Sequence, residues 1–372
     1  MTTSAVLTEG SPLGAFRAVL KSQYHAGLAM LRQTIDQCPE ELWSDDEPVN
    51  AFWQVAYHAL YFTHLYLQPD EAFFRPWPGH QPDVQHEDGI AGTPDPASDL
   101  PLIPRPYTKE QTLAYWQFCD DMVDDAVAAL DLQRPTSGFS WYRVSKLEHQ
   151  IINLRHLQHR LAQLADRLRS KEGVGTRWVA ARRVTADEFP IPITPRSPMM
   201  TFSSTMRSSF LRELESVRRE IEAYSDESLI WSLPPGVPNS AGTLALHIAG
   251  NLQHYFGAVL GGTAYIRDRP AEFSTRDVSR SELLVRIAAA EAAVAGALDA
   301  STQLDLAQPF SEPLGGAALT TAEVIIHLAV HLAYHLGQID YHRRLVTGDP
   351  AGINAVDPSR LASRLPPGAS SP

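Results

Sequence analysis

The chain of 372 residues is 44% hydrophobic and 20% charged, the balance of a soluble globular protein with room for two domains. A formal net charge of -12 excludes general nucleic-acid binding, because phosphates call for a basic surface. With only Cys38 and Cys119, a disulfide framework is excluded, and no apolar run nears the roughly 20 residues of a membrane-spanning helix. Apolar periodicity near 3.6 then predicts an all-α chain. Helices are expected at 12–37, 51–68, 108–132 and 145–170, and again at 200–225, 241–261, 279–298 and 320–347. Thr108-x-x-Gln111, Ser145-x-x-Glu148, Ser279-x-x-Glu282 and Thr320-x-x-Glu323 have the capping-box spacing at helix starts. Gly348-Asp-Pro350 supplies a stop. The loop 69–106 is long and Pro-rich, as lids and binding segments are. Gly173, Gly175 and the run Phe-Pro190-Ile-Pro192-Ile-Thr-Pro195-Arg-Ser-Pro198 predict an extended connector. The arginines at 167–183 read as a solvated helix end and linker. The expected division is 1–170, a linker 171–199, 200–349 and a flexible tail 350–372. The N-terminus lacks a basic start and apolar core, so the expected compartment is the cytoplasm.

The stretch His327-Leu-Ala-Val-His331-Leu-Ala-Tyr-His335-Leu-Gly337-Gln338 sets imidazoles four apart in an apolar helix. Residues at that spacing share a face, so a neighbouring pair can close on one metal ion. Buried imidazoles otherwise need polar partners, and satisfied core histidines are the bland alternative. A third ligand must come from another element. His247, amid Leu244, Leu246, Ile248 and Leu252 on the second helix of this set, is the best candidate. Asn251 and His254 follow on the same helix as candidates for orienting a substrate, His254 from above the ion or from the surface.

The ending His331-x-x-x-His335-Leu-Gly337-Gln338 resembles DinB-like four-helix bundles. The run His247-Ile-Ala-Gly-Asn251-Leu, followed by Gly261-Gly262, Arg267-Asp-Arg269 and Glu272-Phe273, is similar to one branch of them. The resemblance, over about 200–348, implies a divalent zinc or nickel ion held by His247, His331 and His335. His327 then becomes a core or outer residue; pairing of His327 with His331 is the alternative. Three neutral nitrogens leave an open position on such an ion.

The first set resembles the same superfamily over about 16–169, through His58, the loop residues Phe73-Phe-Arg-Pro-Trp77, and Arg155-His156-Leu-Gln158-His159-Arg160-Leu-Ala-Gln163. Setting Gln163 against Gln338 puts His156 opposite His331 and Arg160 at the place of His335. Arginine stays protonated and cannot ligate a metal. Either His159 substitutes, or the site has lost its metal and His58, His156 and Arg160 form a polar cluster that holds an anion. Loss is the reading adopted.

The fold class expected is therefore two tandem DinB-like four-helix bundles joined by a Pro-rich linker, the first degenerate. The function that the resemblance implies is a metal-dependent transferase that uses a low-molecular-weight thiol on a small electrophile. A non-catalytic metal-binding or stress-associated protein and a metal-assisted hydrolase are the alternatives. The expected partner is a small-molecule substrate, without nucleic acid or membrane. The chain is expected to be a monomer with an internal pseudo-dimer, or a homodimer.

Overall fold

A computed structural model describes residues 12–45, 50–81, 84, 106–179, 202–299, 304–314, 318–349 and 351–353. Most of the expected loop 69–106, the Pro-rich run 190–198 and the tail beyond 353 lie outside the described residues. The described chain is all-α, with one isolated bridge between Pro309 and Thr320 in place of any strand. The first set holds α1 (Pro12–Gln37), the short α2 (Glu40–Trp43), α3 (Phe52–Tyr66), α4 (Lys109–Ala129) and α5 (Lys146–Glu172). The second holds α6 (Phe202–Glu222), α7 (Ala241–Leu252), the short α8 (Arg269–Ser274), α9 (Arg280–Ala297) and α10 (Thr321–Thr347). Helix α7 runs on as a π-helical segment, Gln253–Leu260.

Local chemistry accounts for the boundaries. Thr108 and Thr320 form reciprocal capping boxes with Gln111 and Glu323. Ser145 and Ser279 cap their helices with the hydroxyl alone. There the glutamates that were expected to complete the boxes are drawn away by arginines: Glu148 lies 3.4 Å from Arg212, and Glu282 lies 2.9 Å from Arg286. A charged partner out-competes a terminal amide for a carboxylate. Gly173 and Gly348 end α5 and α10 at φ 70° and 69°, where only glycine sits without strain.

α1, α3, α4 and α5 pack on one another, as do α6, α7, α9 and α10. The two groups are joined along α5 and α10, which lie so close that Gly337 faces the backbone of His159 and the methyl of Ala162. Phe16 meets Phe202 with ring centroids 4.5 Å apart, and buried ion pairs Arg155–Glu213 and Arg212–Glu148 cross the same seam. Breaking such a pair by removing one partner strands the other charge in the interior. The reading of 167–183 as solvated is corrected at its start. Arg167 is buried and donates to the Asn50 carbonyl at 2.7 Å, tying α5 to the turn before α3.

Candidate metal centre

Ser240 caps α7 through the Thr243 amide and so sets the turn on which His247 faces α10. There His331 Nε2 lies 3.3 Å from His247 Nε2 and 3.0 Å from His335 Nε2. Ligand atoms of all three rings fall within 4.8 Å of one another. His247 is buried, and His331 and His335 are partly exposed to a cavity of about 510 Å³.

The outer contacts decide which nitrogens carry protons. His247 Nδ1 lies 2.9 Å from Glu272, whose carboxylate also accepts from Arg267 at 2.7 and 2.9 Å. Burial raises the Glu272 carboxyl, but hydrogen bonds from His247 and Arg267 more than offset it and leave it below the usual range. An ionised carboxylate only accepts, so the proton of His247 sits on Nδ1. Likewise His335 Nδ1 meets the amide oxygen of Gln338 at 2.6 Å. Burial, then the neighbouring His335 and His247, hold His331 well below its ordinary pKa. Burial and His247 push His335 down to about 3. With Nδ1 of His247 and His335 protonated, their Nε2 lone pairs face the Nε2 of His331, and the three atoms together make the donor set of an open three-nitrogen metal site. The residues fit a divalent ion.

Asn251 lines the same cavity, buried, with its Oδ1 lacking a hydrogen-bond partner among the described residues. His254 does not join it: its ring turns outward to Glu312 at 2.9 Å. The reason is the π-helical segment, whose wider turn shifts the helix face by about one residue. Tyr255, not His254, comes to the cavity. His327 borders the cavity but stays outside the triad, its ring centroid 6.2 Å from that of His331.

Sequence reasoning assigned no role to Glu272 and Arg267, although both stand in the quoted pattern. It gave none to Trp178 or Arg169, which reach the cavity from the first half and the segment after it. Trp178 sets its edge against His327 and His331, each at 5.8 Å, and against Tyr334 at 5.2 Å. A lone Trp beyond a helix end carries no periodicity that places it over a distant site.

In the first half, His58 Nε2 and His156 Nε2 lie 2.9 Å apart, with Phe62 against both rings. One ring can donate to the other, and His156 Nδ1 is buried without a hydrogen-bond partner among the described residues. Among the described residues no third ligand atom closes on this pair. His159, the possible substitute, instead faces Gln163 at 3.4 Å and Asp340 at 3.8 Å, and Arg160 donates to Gln163 at 3.1 Å.

Residues 209–339 match the family model of the DinB superfamily. The chain carries a DinB-superfamily domain. No curated protein and no solved structure matches. The DinB match takes in all three converging imidazoles together with Asn251, Arg267 and Glu272. Among the described residues, no helix is long and apolar enough to cross a membrane.

Proposed function

We propose that this chain is a metal-dependent transferase that joins a low-molecular-weight thiol to a small electrophilic substrate. The observation that carries the reading is the convergence of three Nε2 atoms beside an open cavity of about 510 Å³. A zinc or nickel ion held by His247, His331 and His335 would supply a Lewis acid at which a thiol loses its proton near neutral pH. The chain's own residues do the rest. Glu272 and Gln338 hold two of the rings by their Nδ1 protons. Asn251 borders the cavity and helps to orient the substrate there, and Trp178 covers the rings on one side and keeps water from them. The thiol itself enters through the DinB resemblance, since no side chain of the cavity reads as a thiol-specific contact.

The hydrolase reading is weaker here, because Glu272, the carboxylate nearest the triad, is already held by His247 and Arg267 and is not free to take a proton from water. Close packing of α5 on α10 supports treating the two helix sets as tandem copies that dimerise within one chain. We place the protein in the cytoplasm, where the buried Cys38 and Cys119 stay as free thiols.

The test combines elemental analysis with a conjugation assay. Purified chain and His331→Ala would be assayed for zinc and nickel, then for conjugation of cysteine and other small thiols to 1-chloro-2,4-dinitrobenzene. About one ion per chain and turnover that vanishes in the variant are expected. Turnover unchanged by His331→Ala refutes the scheme. A metal-loaded chain that conjugates no thiol favours the non-catalytic alternative.

A further inference from the structure

Two short polar chains cross the seam between the halves, and each is the other's mirror in connectivity. In the first, His335 Nδ1 lies 2.6 Å from Gln338 Oε1, and Gln338 Nε2 donates to Asp166 at 2.8 Å. In the second, Arg160 donates to Gln163 Oε1 at 3.1 Å, and Gln163 Nε2 donates to Asp340 at 2.8 Å. Asp166 belongs to α5 and Asp340 to α10. The last helix of each half thus offers a buried carboxylate to the glutamine of the other.

An amide has a donor end and an acceptor end, and an unrestrained Gln338 could turn either toward His335. Facing the ring with its NH2 group, it would favour protonation at Nε2 and occupy the lone pair that the site needs. An ionised carboxylate accepts and never donates, so Asp166 removes that choice. We propose that Asp166, in the first half, is a positioning residue for the metal centre of the second: it pins Gln338 so that its oxygen faces His335, which keeps the ring proton on Nδ1 and frees Nε2 for the ion. The proposal rests on reading the triad as a metal site. It makes the first half a part of that site rather than a silent copy, in keeping with Arg169 of α5 lining the same cavity. In the mirrored chain the glutamine oxygen faces Arg160, which keeps its protons whatever faces it, and the ring beside Gln163, His159, lies outside the triad.

The experiment uses the full chain at pH 8 with two readouts: Co(II) affinity by chelator competition, and ¹⁵N NMR of the histidine tautomers in metal-free protein. Wild type should show His335 protonated at Nδ1, its signal assigned by loss in His335→Ala. Asp166→Ala should mix the tautomers and weaken Co(II) binding by about 10–100-fold, the usual cost of losing an outer partner. Asp166→Asn, whose amide can donate as well as accept, should recover only part of that loss. Asp340→Ala cuts the mirrored chain at the same seam and should leave both readouts near wild type. Equal losses in Asp166→Ala and Asp340→Ala would mean a loosened seam and would overturn the proposal, as would an unchanged His335 tautomer in Asp166→Ala. Should Asp166→Ala not fold, Gln338→Met breaks the same link at similar volume and must give the same Co(II) loss. A wild-type chain that binds no Co(II) defeats the metal reading alone, and the tautomer still decides the role of Asp166.

Discussion

Replacing Gly337 by alanine tests the closeness of the two halves. A Cβ built on Gly337 falls 2.5 Å from the His159 carbonyl oxygen and 2.9 Å from the Ala162 methyl, where ordinary contact begins near 3.4 Å. The shortfall against His159 is about 0.9 Å (3.4 less 2.5), and a backbone oxygen inside a helix cannot rotate away. α10 must therefore move off α5, and overpacking of this kind costs about 1–3 kcal/mol. Alanine returns about 1 kcal/mol of helix propensity, so the net expectation is a loss of up to about 2 kcal/mol. Calorimetry on metal-free protein should show Tm lower by up to about 8 °C. Gly296, on the exposed face of α9, is the control: its Cβ would meet nothing within 4 Å. Gly296→Ala should raise stability by up to about 1 kcal/mol. If Gly337→Ala stabilises the chain as Gly296→Ala does, the seam is not as close as described and the argument fails. Because Gly337 lies between His335 and Gln338, the same shift should also weaken Co(II) binding.

Three further outcomes follow from individual side chains. Burial pushes the Asp166 carboxyl from 3.8 up to about 6, against the pull of Gln338 and Arg169. The folded chain then holds a proton that the unfolded chain has released, so stability falls as pH rises from about 4 to about 6 and stays lower above. Relative to Asp166→Asn, wild type should lose up to about 3 kcal/mol across that interval in denaturant melts, and a pH-independent difference would contradict the burial. Trp178 lies 5.8 Å from His331, so Co(II) should quench part of the tryptophan fluorescence, and Trp178→Phe should abolish that part; identical quenching in both chains would remove Trp178 from the site. His254→Ala should change Co(II) affinity by less than about fivefold, since its partly exposed pair with Glu312 is worth under about 1 kcal/mol. A large loss would return His254 to the cavity.

Much of the site was legible before the fold. Histidines at steps of four on an apolar helix announce a shared face, and the Leu-Gly337-Gln338 context picked His331 and His335 over the pair beginning at His327. The arginine at the place of His335 is the sequence signal for a first half that lacks a ligand, and among the described residues no third ligand atom closes on His58 and His156. What escaped was whatever depends on helix pitch or on chain distant in sequence. His254 was misplaced because seven residues return to one face only on a regular α-helix, and the π-helical segment shifts that count to Tyr255. Glu148 and Glu282 have the capping-box offset, yet arginines outside the motif claim their carboxylates.

Periodicity, caps and stops are written into neighbouring residues, so the sequence by itself determined eight long helices, their order and the two rods that bear the imidazoles. It also determined that Gly337 follows His335, but not why a glycine is needed there. Only the tertiary structure decided that α5 lies against α10, because that contact pairs residues more than 170 positions apart, as Gln163–Asp340 and Gln338–Asp166 are. No local pattern encodes such a pairing. It depends on which helix faces remain apolar once each set has packed, and there the tautomer of one imidazole comes to depend on a carboxylate from the other half of the chain.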